Sequence, residues 1–289
     1  RNGEERFKGR FGVNSGRRTG IGFNIDFLYG RGLYDHQSTG YFDGSLYGYH
    51  HGERYGINVL YSYDKLRLAE NGGIADDRYV TNPEAMAEGK KTYRPEDMPT
   101  NLQDVWNENI LHSIFLAQDF KLGYYKVRAD SLPDTIIIHR DFVPVSKVFH
   151  TMETNFKSRR FIDYDDTKNY YKNNYLPYDS IDLTRYVKVR NTVGLTLVEG
   201  VNRWIPFGAS AYLTHEYRQF ELPDSVGGIG RDHMHTYNEN NLFIGGNLRR
   251  TMGRAFLFEV TAETVLAGTD LGTFRIDGNA GLKFKVGKD

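Results

Sequence analysis

The sequence contains no cysteine, only 8 prolines and no excess charge of either sign. Without cysteine, the chain has no disulfide framework, no cysteine-based zinc site and no thiol nucleophile. Because 37 Lys and Arg residues balance 37 Asp and Glu residues, the composition argues against a chain built mainly to bind nucleic acid or anionic lipid. The sequence also lacks a run of 18 apolar residues, so it predicts no transmembrane helix.

Glycine and aromatic residues are abundant: the chain has 31 Gly, 21 Tyr and 18 Phe. Aromatic residues favour strands, and glycine serves bends and close packing, so this composition indicates β structure. The periodicity is two almost throughout. The clearest apolar alternation is Phe274, Ile276, Gly278, Ala280, Leu282, Phe284 and Val286. One face of each segment is therefore apolar, and the other is charged or small.

These patterns predict eleven strands. Their ranges are 5–14, 18–30, 40–50, 54–68, 110–122, 141–156, 185–199, 204–219, 240–250, 254–267 and 272–287. The alternation is blurred in 110–122 and 141–156, and the segment 83–98 has room for one or two helical turns within a loop. Long polar connections follow every second strand, apart from a moderate connection at 123–140. The long connections are therefore expected at one end of an up-and-down sheet.

Strand length favours a membrane protein over a soluble one. The predicted strands have about 10 to 15 residues, whereas soluble strands usually have about five or six. A tilted strand needs roughly 9–11 residues to cross a bilayer. Aromatic residues that could form interface girdles stand near many strand ends. They are Tyr29, Tyr41, Tyr55, Tyr61, Tyr63, Trp204, Phe207, Tyr217, Phe256 and Phe274. We therefore predict an all-β fold, an antiparallel up-and-down transmembrane β-barrel.

Several segments resemble the putative-porin family of Bacteroidota outer membranes. They are NGEERF at 2–7, GFNIDFLYGRG at 22–32, DHQST at 35–39, ENGGIADDRY at 70–79 and FVPVS at 142–146. The resemblance implies a bacterial outer-membrane β-barrel with passive solute passage. Bacterial barrels have an even number of strands. Eleven predicted strands therefore indicate that 1–289 is a single barrel domain, incomplete at both ends, within a larger even-stranded barrel.

Polar residues that alternate with the apolar face are the candidates for the pore lining. They are Asp26, Asn58, Asp64, Lys188, Arg190, Glu216, Arg218, Glu259, Glu263, Arg275, Asp277, Lys283 and Lys285. Their mixed signs predict weak ion selectivity. Arg6, Lys8 and Arg10 alternate with Phe7 and Phe11, a pattern known from single-strand nucleic-acid binders. A polar lumen face explains that pattern better here, so no nucleic-acid partner is expected.

Other motifs have ordinary explanations. His233 and His235 have the spacing of a shared metal site on a strand, and Asp163, Asp165, Asp166, Asp179 and Asp182 carry calcium-type ligands. Both sets fit exposed polar loops better, because the histidines have no third ligand close in sequence beyond Asp232 and the aspartates lack EF-hand spacing. Glu259 and Glu263 are about 13 Å apart along a strand, too far for a directly coupled acid–base pair. No metal, cofactor or enzymatic activity is expected.

The leading functional hypothesis is a porin-like barrel for passive diffusion of small polar solutes, with selectivity set by lumen charges and long extracellular loops. The alternative is a structural or accessory barrel subunit of a larger outer-membrane assembly, with a plugged lumen. A soluble β-sandwich is a third, less favoured class. The expected partners are outer-membrane lipid and lipopolysaccharide, small polar solutes, and either further copies of the chain or other envelope proteins.

Overall fold

The computed structural model forms one antiparallel sheet of eleven strands in chain order. It describes residues 3–86, 94–132, 135–165, 170–171, 180–201, 206–223, 234–252 and 256–282. The strands are β1 Glu4–Ser15, β2 Thr19–Arg31, β3 Ser38–His51, β4 Tyr55–Ala69, β5 Val105–Leu132, β6 Thr135–Asp163, β7 Ile181–Leu197, β8 Gly208–Pro223, β9 Met234–Arg250, β10 Phe256–Gly268 and β11 Phe274–Leu282. The predicted all-β, up-and-down fold and the count of eleven strands are confirmed.

Helix is confined to the connection between β4 and β5 in the described residues. The two α-helices, α1 at Arg78–Thr81 and α2 at Pro83–Met86, have one turn each, and a 3₁₀ turn follows at Pro95–Asp97. The expected helical turn within 83–98 is therefore present. No helix in the described part of the chain is long and apolar enough to cross a membrane.

The strand register separates a polar face from an apolar face. Directly paired residues of antiparallel strands point to the same side of the sheet. One row of paired residues is polar across nine strands, and it defines the polar face: Arg10, Asn24, Ser45, Ser62, Ser113, Asn155, Lys188, Arg218 and Glu239. The row one residue further along β1 begins with Phe11, Phe23, Leu46, Tyr61 and Ile114, and it lies on the apolar face.

The apolar face is exposed rather than packed into a core. Phe7 is 59% exposed, Leu46 58% and Leu195 58%. The few buried apolar residues of the described chain include Met98, Leu102 and Val105, at and before the start of β5. A soluble protein rarely exposes apolar area that extends over a whole sheet. The distribution is that of a transmembrane barrel, whose apolar side chains contact lipid.

The connections differ in length between the two ends of the sheet. At one end, which we call the short-turn end, connections such as 16–18 and 52–54 have three residues each. The opposite, long-loop end carries the connections 70–104, 164–180 and 224–233. The predicted placement of the long connections at one end is therefore confirmed.

The predicted connection at 123–140 is wrong, because most of it is strand. Beyond the last pair of β5 with β4, at Phe120, and the last pair of β6 with β7, at Ser146, the two strands pair only with each other. We call this two-stranded segment, 121–145, the ribbon. Its twelve residues on β5, 121–132, extend by about 40 Å at the usual rise per residue. A ribbon with solvent on both sides needs no apolar face, which explains why the sequence of 123–140 did not predict strands. β6 is also longer than predicted at its other end. It continues through polar residues to Asp163, so the loop predicted at 157–184 is shorter.

The base of the ribbon is braced by the turn between β3 and β4. The guanidinium of Arg54 lies 5.4 Å from the ring centroid of Tyr125 and 5.2 Å from that of Phe142. The Tyr125 hydroxyl donates a hydrogen bond of 3.3 Å to Glu53. Cation–π and ring contacts of this kind stabilise aromatic pairs beyond their buried area. The ribbon therefore begins from a fixed point on the sheet.

The sheet ends at β1 and β11, which are not hydrogen-bonded to each other. Because each strand is antiparallel to the next, β1 and β11 run in the same direction. Direct pairing between them would therefore be parallel, and a fully antiparallel barrel would need an odd number of additional strands. A larger, even-stranded barrel stays a prediction.

One row of the polar face alternates aromatic residues with glycine. The pairing order from β6 to β9 is Phe149, Gly194, Tyr212 and Gly245. A Cβ on Gly194 would lie 2.6 Å from both the Ala211 carbonyl oxygen and the Phe149 ring. Each glycine thus leaves the space in which a neighbouring ring lies flat on the sheet, and this packing fixes the register of β6 to β9.

We predict that Gly194→Ala destabilises the sheet by about 1–3 kcal/mol, the usual cost of forcing extra volume into a packed site. The neighbouring backbone carbonyl cannot move away as a flexible side chain would. Urea unfolding of the protein refolded in lipid vesicles measures the change. Gly40→Ala is the matched control, since its nearest atom would be 3.9 Å away. Equal stability of the two variants would contradict the packing argument.

A buried carboxylate joins two turns at the short-turn end. Glu199, which is 6% exposed, follows β7 and accepts hydrogen bonds from the backbone N–H groups of Thr251 and Met252, at 2.9 and 2.6 Å. The Thr251 hydroxyl donates a third bond of 2.8 Å. Burial alone would raise the pKa of Glu199, but these three donors hold the pKa below its ordinary value.

We predict that Glu199→Gln lowers stability at pH 7 by about 2 kcal/mol, because hydrogen bonds to a charged group are the strong ones. A depressed folded-state pKa contributes stability above the unfolded pKa of about 4.3, and this is lost as pH falls through the folded value. The stability difference between wild type and variant should therefore narrow below about pH 4. A difference that stays constant from pH 7 to pH 3 in urea unfolding would contradict the prediction.

Candidate functional site

All eleven candidate lining residues in the described chain lie on the polar face. The register places them there on six strands, from Asp26 on β2 to Asp277 on β11. Lys283 and Lys285 lie outside the described residues. Most of the charged candidates are not isolated, because the sheet brings opposite charges together across strands. That this face lines a pore stays a prediction at this point.

Arg190 connects two carboxylates on different strands. Its guanidinium donates to Glu216 at 3.1 Å and to the two oxygens of Glu263 at 3.1 and 2.9 Å. The Arg190 side chain is 28% exposed, and Glu216 and Glu263 are 9% and 16% exposed. Its Cζ also lies 5.0 Å from the Phe243 ring centroid. β7, β8 and β10 are thus tied together on the polar face by one arginine.

Arg218 forms a second charged centre closer to the long-loop end. Its guanidinium pairs with Asp270, in the turn before β11, and its Nε lies 3.0 Å from Glu239 without the alignment of a hydrogen bond. Asn241 donates to the same Asp270 carboxylate at 3.0 Å. Lys188 in turn pairs with Glu153 at 3.2 Å. Each of these cations therefore has a carboxylate close to it on another strand or in a turn.

The first strands carry an acidic group. Asp26, Asp43 and Asp64 are directly opposed in register on β2, β3 and β4. Arg6 and Lys8 pair with Asp26 at 3.2 and 2.9 Å. Asp43 and Asp64 contact each other through their carboxyl groups, and neither forms an ion pair with a cation of the described chain. Asp43 was not among the predicted lining residues, because apolar and polar residues alternate less clearly in its strand.

The remaining candidates have smaller networks. Asn58 contacts the His51 ring at 3.0 Å, and Glu259 accepts from Asn247 at 3.1 Å. Arg275 and Asp277 pair along β11 at 2.5 Å. The two glutamates considered for acid–base chemistry, Glu259 and Glu263, are therefore held by different partners, as expected of a lining. No group of three or more metal-type ligands is present within the described ranges.

A groove of about 380 Å³ lies on the polar face, in the half nearest the long-loop end. It extends from β3 to β7, and its lining includes Tyr41, Asp64, Leu111, Lys157, Arg159 and Tyr186. Tyr41 was expected in an interface girdle, but the register puts it on the polar face. The sequence did not single out Lys157, Arg159 or Tyr186, because a groove across five strands depends on register and not on local pattern.

The long-loop end is folded and not merely a set of free loops. The Asp165 carboxylate accepts the backbone N–H groups of Gln103 and Asp104 at 2.5 and 3.1 Å. The Tyr170 hydroxyl donates to the Gly72 carbonyl at 2.8 Å. Asp165 thus joins two loops instead of contributing to a cation site. Asp166, Asp179 and His233 lie outside the described residues, and the His235 ring packs on Tyr237.

A cluster of cations interrupts the apolar face near the long-loop end. We call Lys65, Arg67, Arg160 and Arg185 the basic rim. The buried Glu108 carboxylate pairs with Lys65 at 2.9 Å and with Arg160 at 2.7 Å. The Arg67 guanidinium lies 4.8 Å from the Trp106 ring centroid. At the opposite end, the same four strands present apolar or aromatic side chains on this face, namely Tyr55, Phe120, Val148 and Leu195.

A comparison with protein families matches residues 1–289 to the family described as Putative porin. The match covers the whole chain and agrees with the exposed apolar face and the continuous polar face of the sheet. The chain belongs to the Putative porin family. No curated protein and no solved structure matches the sequence.

Membership of the Putative porin family confirms the resemblance seen in the sequence. It makes the chain a porin-like outer-membrane β-barrel protein at the level of the family. In such barrels the polar face lines the interior and the apolar face contacts lipid. We therefore predict that the charged centres at Arg190 and Arg218, the acidic group and the groove all belong to the interior surface.

Proposed function

We propose that the protein forms an outer-membrane channel for passive diffusion of small polar solutes. The observation that carries this proposal is the polar row across nine strands, from Arg10 to Glu239. Serine, asparagine and charged side chains are tolerated on such a surface where they face water. In a soluble core, the same groups would each need a buried partner.

The charge pattern supports weak ion selectivity. Arg190 and Arg218 are each surrounded by carboxylates, whereas Lys157 and Arg159 form no ion pair with a carboxylate of the described chain. Opposite charges that neutralise each other leave little net field for permeating ions, so neither sign is strongly favoured. The long-loop end, with its mutually bonded loops, is proposed to narrow the entrance from the outside.

Planar-bilayer recording of the purified protein tests this function. We expect ohmic conductance with a small reversal potential in a salt gradient. Arg190→Gln should shift that potential towards cation selectivity, because it leaves Glu216 and Glu263 unneutralised. Arg128→Gln, an equal change of charge on the ribbon, is the control and should leave selectivity unchanged. Absence of conductance in the wild-type protein would contradict the channel proposal.

A second candidate function is that of an accessory barrel in a larger assembly, and the ribbon favours it. Its side chains Tyr124, Val127 and Ile138 are 54%, 61% and 68% exposed, and its two strands pair with no other part of the sheet. This function predicts a stoichiometric partner in detergent extracts together with a closed lumen. Conductance by the isolated protein would argue against it and for the channel.

We also propose that the basic rim binds the phosphate groups of lipopolysaccharide. Its four cations face two paired carboxylates, Glu108 and Glu221, and this leaves a net positive charge beside lipid-exposed apolar residues. Cations next to a membrane surface attract anionic headgroups by about 1 kcal/mol each. Trp106 lies under Arg67 at the level where aromatic residues meet headgroups.

Lipopolysaccharide should raise the unfolding temperature of the wild-type protein in detergent, and Arg67→Gln should reduce this increase by about half. Arg67 is the suitable position, because replacing Arg160 would leave the buried Glu108 short of a partner. Arg250→Gln, at the short-turn end of the same face, is the matched control. An increase that is equal in all three proteins would show that the rim is not the binding site.

A further inference from the structure

The groove on the polar face has opposite charges at its two sides. One row of directly paired residues crosses it in the order Asp64, Leu111, Lys157 and Tyr186. Leu111 therefore separates an acidic side on β4 from a basic side on β6. Leu66 adds a second apolar side chain, and Tyr41 and Tyr186 stand at the two outer walls. The groove thus has an apolar floor between a carboxylate and a cation.

The cations of the basic side are available to a ligand. Lys157 and Arg159 are both exposed, and in the part of the chain that the structure describes neither is ion-paired with a carboxylate. The Lys157 amino group lies 6.0 Å from the Tyr186 ring centroid. The other basic residues of the polar face nearby, Lys188 and Arg190, both have carboxylate partners.

The acidic side is arranged to receive a cation. Asp43 and Asp64 are directly opposed across β3 and β4, and their carboxyl groups contact each other. Two carboxylates in contact repel each other unless a proton or a cation lies between them. Arg6 and Lys8 pair with Asp26 instead. An ammonium group of a solute would therefore relieve a repulsion that the chain itself leaves in place.

The spacing of the two sides selects the length of the ligand. Asp64 and Lys157 are two strands apart, which is about 10 Å between Cα atoms, and their side chains shorten the gap. An extended dipeptide spans about 7 Å between its terminal groups. Resting on the proposed channel function, we propose that this groove is a subsite for short zwitterionic peptides, with the ammonium group against Asp43 and Asp64 and the carboxylate against Lys157 and Arg159.

Three small probes test which charges are recognised: alanyl-alanine, its N-acetylated form and its C-terminal amide. Block of the single-channel current and calorimetric titration of the detergent-solubilised protein measure binding independently. The zwitterion should bind at least about tenfold more tightly than either capped form, because each cap removes one charge-assisted contact. Equal binding of the N-acetylated form would show an anion site only and would overturn the proposal, as would equal binding of the amide.

A double variant, Lys157→Gln with Arg159→Gln, should weaken binding of alanyl-alanine about tenfold. The control, Lys126→Gln with Arg128→Gln, removes the same charge from the ribbon and should leave binding unchanged. Unchanged binding in the first variant would overturn the subsite while leaving the channel intact. Conversely, calorimetric binding without any conductance would support the subsite and contradict the proposed channel function.

Discussion

The need to pair every backbone N–H and C=O group within hydrocarbon is the constraint on which the rest of this structure depends. A sheet can meet it only by pairing each strand along its membrane-spanning length. Once the backbone is extended and paired, side chains must alternate between two faces. One face then contacts lipid and the other is free to be polar, so the mean hydropathy of −0.58 describes the average of two different surfaces. The exposed Phe7 and the polar Arg10 are neighbours in the same strand for this reason.

Charges on the polar face must be neutralised, because they are only partly solvated and lie close to one another across strands. Arg190 and Arg218 provide this neutralisation by bridging carboxylates on neighbouring and more distant strands. Such bridges neutralise charge and also hold the strand register. The aromatic–glycine row of Phe149, Gly194 and Tyr212 holds the register by packing alone. The bridging arginines therefore influence both the strand register and the electrostatics of the polar face. The groove differs, since its charges remain unbridged by the chain.

Strand number, face and topology could be predicted from the sequence, because a period of two over ten or more residues is a strong local signal. Asp26, Glu263 and Asp277 were assigned to the correct face for the same reason. The ribbon could not be predicted: outside the sheet no apolar face is needed, so the alternation in 123–140 disappears. The sequence also did not predict that Lys157, Arg159 and Tyr41 line one groove. Their proximity depends on the register between β3 and β7, and the residue pattern within one strand does not reveal how that strand is aligned with its neighbours.

The two sheet edges show how the constraint extends beyond the described strands. Within the described residues, β1 and β11 each have one side without a hydrogen-bonded neighbour, and in hydrocarbon every unpaired backbone group costs several kcal/mol. Their common direction makes antiparallel pairing between them impossible. In water, charged residues such as Glu4, Glu5 and Arg6 discourage an edge strand from pairing with another chain. Inside a membrane they do not replace the missing backbone hydrogen-bond partners. We therefore expect additional strands at both edges of a porin-like barrel, and we expect the polar face described above to be one part of a wider lumen surface.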